Sequence, residues 1–438
     1  MDGIKPKHWV FILDDTKPDT FILYAPLHKI ILRLPCQIKG QVKEILEGAK
    51  PEDFGTVGKI FTSRSLATMP TGRTMSTTVV KGSSNVSTFS LTNRCNLRCT
   101  YCYASTGCDF TTMEWVVAKA AIDRLVQVTL KADLDNFSIT FHGGGEAFME
   151  YQLLQKCVLY AQKLAKESSL QVKFRAVTNA TRITLEIARW LKKHNFSHLT
   201  VSMDGIEFVH DAQRPFANGS GSFRAVLAGA YNIQQAGLGF SIRSTVTSIS
   251  VGTMGKFVKL LAKELFVGGG SVHFEPVTLC GRAKGTISGV DPDEYFDNYL
   301  EAKETGKVLG IDVRCTLDGF KKTKKKYCAA SDGRMFCLSP NAKVSGCSRV
   351  TKDSDLGSDV YFYGDYDPIN EVFVLDITKQ TAIVEVGTLP AKCTPCCARW
   401  TCLGTCPISR YTDPENHEAV CGLTNKLLTY SVQMALSQ

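Results

Sequence analysis

The sequence predicts an α/β protein whose centre is a partial (β/α)6 barrel, with a small α+β domain before it and a cysteine-rich domain after it. Three observations carry this. From residue 85 onward, strand-like and helix-like segments alternate through six units, as parallel sheets with crossover helices do. Before residue 68 the strand patterns come first and the helix patterns follow. Beyond residue 314 lie ten of the 17 cysteines. The expected divisions are 1–67, a linker at 68–84, the barrel at 85–310 and the cysteine-rich domain at 311–438.

The first segment opens with HWVFILDD, TFILYAPL and KIILRLP, three short runs rich in β-branched and aromatic residues. In QIKGQVKEILEG, Ile38, Val42, Ile45 and Leu46 share one helical face, and Gly48 is a stop signal. A second helix begins at Pro51, with Glu52 and Asp53 in its first turn, and runs toward Phe61. Residues 68–84, TMPTGRTMSTTVVKGSS, are polar with scattered Gly and Pro and read as a linker. The barrel strands are NVSTFSL, NFSITFH, QVKFRAVT, SHLTVSM, GFSIRSTVT and SVHFEPV. EWVVAKAAIDRLVQVTL, LLQKCVLYAQKLAK, LEIARWLKKH and FRAVLAGAYNIQQAG between them carry helical periodicity.

Of the 438 residues, 44% are hydrophobic and 21% charged, which is ordinary for a globular chain. Residues 1–20 lack an uninterrupted apolar run, and later runs such as YAPLHKIILRL are short and broken by charge. The expectation is a cytoplasmic protein with no membrane partner. Seventeen cysteines in a chain too large to need disulfide staples point to metal ligation. The formal charge of +9 gives little support to nucleic-acid binding, because each thiolate-held cluster would cancel about two charges.

In a barrel the working residues gather where strands end, and the unusual residues stand there. After the first strand, LTNRCNLRCTYCY places Cys95, Cys99 and Cys102 at Cys-x3-Cys-x2-Cys spacing with Tyr101 before the third. Three thiolates can hold three corners of an iron–sulfur cube and leave one iron open. The alternative, a zinc knuckle, would need Cys108 as its fourth ligand. After the second strand comes His142 followed by Gly143, Gly144, Gly145 and Glu146, where glycines admit close approach and the carboxylate accepts hydrogen bonds. After the third stands Thr178-Asn179-Ala180. After the fourth stand Ser202-Met203-Asp204-Gly205, His210-Asp211 and Arg214-Pro215. Arg243 in the fifth strand is either a ligand contact or a solvent-facing charge, and Glu275 ends the sixth.

The cysteine loop is similar to that of the radical SAM enzymes, whose open iron chelates S-adenosylmethionine. The resemblance spans residues 85 to about 425. It implies that a cluster on Cys95, Cys99 and Cys102 cleaves the cofactor to a 5′-deoxyadenosyl radical. Beside Tyr101, it implies contacts from Gly144, Gly145 and Glu146 to the methionyl amine, from Asn179, Ser202 and Asp204 to ribose and carboxylate, and from Arg243 to the carboxylate. Cys328, Cys347 and the Cys393, Cys396, Cys402, Cys406, Cys421 series resemble the SPASM extension, which holds two auxiliary clusters. Carried over, Cys393, Cys396, Cys402 and Cys421 hold the second, and Cys328, Cys347 and Cys406 belong to the first. Its fourth ligand is expected to be Cys315, with Cys337 or an open site as alternatives. Cofactors would then be S-adenosylmethionine and three [4Fe–4S] clusters.

Two departures from the family pattern stand out. Ala342 replaces a glycine, and Ser348 replaces the Asp that sulfatase-maturing relatives use as a base. Cys36, Cys108, Cys157, Cys280 and Cys397 read as incidental thiols. KKTKKK at 321–326 reads as a solvated face, or as a surface for an acidic peptide. Residues 1–67 are similar to winged-helix modules that bind a precursor's leader, or else simply cap the barrel. Together the resemblances imply a maturase of a ribosomally made peptide, forming a thioether or carbon–carbon cross-link, fed by a donor such as flavodoxin or ferredoxin. The rivals are formylglycine formation and a non-catalytic iron–sulfur or zinc protein.

Overall fold

The computed structural model describes residues 9–70, 84–319 and 322–437. His8 of the first strand pattern, residues 71–83 of the expected linker and Lys321 of the lysine run lie outside them.

Strands β1 (Phe11–Asp14), β2 (Thr20–Ala25) and β3 (Ile30–Pro35) form an antiparallel sheet in that order. Helices α1 (Lys39–Glu47) and α2 (Gly55–Ser63) follow. Strand alternation sends Phe21, Leu23 and Ala25 toward Val42, Ile45, Val57 and Phe61 of these helices. The opposite face, with Phe11, Leu13, Ile22 and Tyr24, packs on Ala398, Trp400, Leu428 and Val432. Burial on both sides explains why β2 reads as an unbroken apolar run. Each fully buried large side chain here contributes roughly 1.5–3 kcal/mol. Helix α1 stops where expected, at Gly48 with φ 122°.

An 11-stranded sheet runs through the rest of the described chain. The six expected barrel strands are β4 (Val86–Phe89), β5 (Asn136–Phe141), β6 (Gln171–Thr178), β7 (Phe196–Ser202), β8 (Phe240–Val246) and β9 (Gly270–Pro276), all parallel to their neighbours. The crossovers include α3 (Trp115–Lys131), α4 (Tyr151–Glu167), α5 (Leu185–Lys193), α6 (Glu207–Gln213), α7 (Phe223–Gln235) and α8 (Met254–Glu264). A seventh parallel strand, β10 (Ile311–Arg314), pairs with β9 after α9 (Pro292–Leu309) ends on left-handed Gly310.

At the other margin β11 (Phe336–Leu338) lies parallel to β4, and β12 (Lys343–Ser345), β13 (Phe362–Asp367) and β14 (Val372–Leu375) continue antiparallel. The cysteine-rich region therefore extends the barrel sheet from the strand that precedes the cysteine loop. On the helix-facing side, Phe141, Phe174 and Phe196 stack within 6.4 Å of one another. The alternate residues face inward and are polar, as with Arg175 on β6 and Arg243 on β8. That polar lining leads to the strand ends. Among the described residues no helix is long and apolar enough to cross a membrane.

Candidate active site

The strand ends enclose a cavity of about 530 Å3. Cys95, Cys99 and Cys102 line one part of it, Gly144 to Glu146, Asn179, Ser202, Arg243 and Glu275 its walls, and Cys328 and Cys347 another part. Two thiol sets that are far apart in sequence thus share one chamber.

Backbone bonds hold the cysteine loop in place. Arg98 N donates to Pro215 O at 2.8 Å, Thr100 N to Gln213 O at 2.9 Å, and Arg282 N to Cys102 O at 2.9 Å. The glycine run is shaped by this loop. Gly145 N donates to Thr92 O at 2.9 Å, and a Cβ on Gly145 would lie 2.2 Å from Arg94 O. A Cβ on Gly144 would meet Asn93 Oδ1 at 2.5 Å. The glycines are needed for backbone-to-loop packing, and Gly144 and Gly145 also line the cavity on the side where cofactor contacts are expected.

Glu146 is buried and accepts from Asn179 N at 2.7 Å, Thr178 Oγ1 at 2.8 Å and Phe148 N at 3.2 Å. Burial raises its pKa, and these bonds oppose the rise. Asn179 Nδ2 in turn donates to Asn96 Oδ1 in the cysteine loop at 3.0 Å.

Tyr101 lies between Asp204 and Arg214. Its hydroxyl bonds the Asp204 carboxylate and receives Arg214 Nη1, while Arg214 and Asp204 stand 3.6 Å apart. Asp204 also accepts from Thr245 N at 2.9 Å; it is fully buried and does not line the cavity. Its place is behind the wall, where it holds Tyr101 and Arg214. His210 and Asp211 are also structural: His210 Nδ1 accepts from Asp204 N, and Asp211 accepts from Phe223 N at the start of α7. Arg214, by contrast, lines the cavity, and its Nε is buried with no hydrogen-bond partner. Arg243 projects into the chamber near His142, whose pKa burial and the Arg243 charge push down to about 4.

Burial pushes the Cys95 thiol up to about 11 and Cys99 to about 12, with the Arg214 charge pulling both down. Ligation requires thiolates, so these sulfurs suit a strongly cationic group. The donor set fits a cluster with a cofactor beside it: three thiols, an unpartnered guanidinium N–H and an adjoining chamber.

In the cysteine-rich region the charges of Cys406 and Cys328 act on Cys347, and Cys406 lines an adjoining cavity of about 200 Å3. Cys315 lines neither cavity. Its Sγ accepts from Tyr295 Oη at 3.3 Å and Leu317 N at 3.4 Å within the apolar core. Cys337 on β11 stands beside the set, where the charges of Cys347 and Cys328 act on it. Cys393, Cys396, Cys402 and Cys421 form a second group, with the charges of Cys402 and Cys393 acting on Cys421. His417 Nε2 lies 3.5 Å from Cys421 Sγ. Ala342 has φ 63°, the left-handed conformation that glycine adopts without strain. Ser348 lines the main cavity. Sequence reasoning gave no role to Arg282 or Arg349, which belong to no spacing pattern. It noted Arg214 only as part of a motif.

The model of the Radical SAM superfamily matches residues 89–257. A cysteine-type anaerobic sulfatase-maturating enzyme of Clostridium novyi is 23% identical over 176 residues, covering 40% of this chain and 46% of that one, less than half of each. The structure of anSMEcpe with bound AdoMet superposes with a TM-score of 0.62 at 18% identity, covering 80% of this chain and 98% of that one. The same protein is known with the Cp18Cys peptide bound. SuiB of Streptococcus suis bound to S-adenosylmethionine gives a TM-score of 0.54 at 13% identity over 94% of this chain and 98% of its own, and it too is known with its precursor peptide SuiA. Residues 89–257 are a radical SAM domain, and the chain that carries them is an enzyme.

Proposed function

We propose that this enzyme is a maturase of a ribosomally made precursor peptide and joins a cysteine sulfur to a carbon of the same peptide as a thioether. The observation that carries this is the single chamber bordered by Cys95, Cys99 and Cys102 and also by Cys328 and Cys347. The peptides held by anSMEcpe and SuiB support a peptide substrate.

In this reading Cys95, Cys99 and Cys102 hold one [4Fe–4S] cluster, which with S-adenosylmethionine supplies a 5′-deoxyadenosyl radical. Gly144, Gly145, Glu146, Asn179 and Ser202 shape the cofactor's seat beside them. Arg243 and the free Nε of Arg214 offer donors to a carboxylate. Asp204 and Tyr101 keep Arg214 in place.

Forming the thioether removes one C–H hydrogen, which leaves on 5′-deoxyadenosine, and one S–H proton. One electron is left over, equal to the electron spent on cofactor cleavage, so an acceptor is needed within reach. Cys328, Cys347 and Cys406, with Cys337 beside them, and the Cys393, Cys396, Cys402 and Cys421 group supply thiols for two auxiliary clusters. A flavodoxin or ferredoxin supplies the starting electron, and residues 1–67 receive the leader.

Co-expression with a small cysteine-containing peptide encoded beside this chain, followed by mass spectrometry, tests the reading. Each link should lower peptide mass by about 2 Da and remove one alkylatable thiol. The same loss with every thiol retained would rule out the thioether and leave a carbon–carbon bond or, where the product carries an aldehyde, formylglycine made from serine. A loss near 18 Da, sulfur leaving as formylglycine forms, would sink the cross-linking reading.

A further inference from the structure

The segment after β9 touches both thiol regions. On one side Gly281, at φ 58°, lies so close to the cysteine loop that a Cβ would stand 2.2 Å from Tyr103 O. Arg282 Nη1 donates to Cys99 O at 2.5 Å, and its backbone N–H donates to Cys102 O at 2.9 Å. On the other side, Arg349 Nη2 donates to Cys280 Sγ at 2.8 Å. Cys280 is 5% exposed.

Arg349 stands two residues after Cys347, and its Nη1 donates at 2.7 Å to Ser409, three residues after Cys406. Its guanidinium lies 5.6 Å from the centre of the Tyr103 ring, next to Cys102. It also borders the main chamber. A half-buried charged donor whose two arms end on different segments is held in place, because releasing either bond leaves a poorly solvated group unpaired.

We propose that Cys280 and Arg349 form a positioning pair that fixes the radical-generating thiol loop against the thiols of Cys347 and Cys406. The pair rests on the cluster assignment above. It sets the separation and orientation of two metal sites, and through them the place where a substrate meets both. Cys280 contacts neither cofactor nor substrate in this scheme; its sulfur is an acceptor at a joint.

The test is the spin–spin broadening between reduced clusters, measured by electron paramagnetic resonance on the reconstituted full chain and on Cys280→Ala, Cys280→Ser and Arg349→Lys. Broadening should change by about twofold in Cys280→Ala and Arg349→Lys, at unchanged iron content, and return in Cys280→Ser, whose hydroxyl still accepts a bond. Unchanged spectra in both would overturn the pair. Loss of about four irons in Cys280→Ala would make Cys280 a ligand and overturn it equally. Should Cys280→Ala fail to fold, Arg349→Lys decides by the same criterion. A wild type that makes no cross-link would sink the peptide reading alone, since these spectra need no peptide.

Discussion

Asn179 N donates to Glu146 Oε2 at 2.7 Å, so the acid that closes the glycine run is bonded to the residue just past the end of the next strand. Glu146→Ala would leave that donor, Phe148 N and the Thr178 hydroxyl without their acceptor. The expected loss is about 3 kcal/mol, at 1–3 kcal/mol for each buried group left unpaired after partial relaxation. Glu146→Gln, which keeps one acceptor oxygen, should lose about half as much. Urea unfolding of the metal-free chain measures both.

Gly145→Ala acts on the cysteine loop without removing a ligand. Its Cβ would meet carbonyl oxygens of Arg94 and Thr92 at 2.2 and 2.6 Å, and backbone cannot swing aside as a side chain can. The loop should shift, with a stability cost of about 2–3 kcal/mol and reduced iron retention at the first site. Wild-type iron content and stability would show that the loop tolerates the displacement.

Ala342→Gly should go the other way. With Ala342 at φ 63°, the substitution removes a left-handed strain of about 1 kcal/mol, less what the unfolded chain gains in freedom. A higher urea midpoint at unchanged slope is the expected result.

If the chain holds three four-iron clusters as proposed, triple replacement of Cys95, Cys99 and Cys102 by Ala should lower an expected content of about twelve irons by about a third, and abolish 5′-deoxyadenosine formation. Cofactor cleavage that survives the triple change would end the radical SAM assignment of this loop.

Asp15 is held at about 2, below its usual value, chiefly by its bond to Arg33. A depressed carboxylate stabilises the fold at pH above its unfolded value, and that stability is lost as pH falls through about 2. With allowance for solvent screening at this rim it amounts to about 1–2 kcal/mol. Melting curves of Asp15→Asn should therefore be lower than wild type at pH 6 or so and converge with it near pH 2.

The barrel strands were legible because each alternates apolar and polar residues over at least four positions. Strand β10 was missed: Ile311–Arg314 is four residues long and follows its helix after a single glycine. Strands β11 and β12 have three residues each, too few for a period to show. Cysteine spacing could group the thiols of the second set and favour Cys315 as a further ligand, but the bond from Tyr295 Oη to Cys315 Sγ is a tertiary contact that spacing does not show. Tyr101, Asp204 and Arg214 come from three separate segments, so their mutual contact has no sequence signature. Ala342 is the opposite case, for its departure from glycine was visible and its left-handed backbone is the strain that departure implies.

The front sheet, covered by its own helices on one side and by Trp400 and its neighbours on the other, has no free face for a peptide. A leader captured there would have to be met along a strand margin or on the outer surface of α1 and α2. Whatever pulls on that margin also pulls on the wall over Cys396 and Cys402. The module thereby resembles a lid with a handle: grasping the handle loads the seal over Cys396 and Cys402, and removing the module opens those thiols to water.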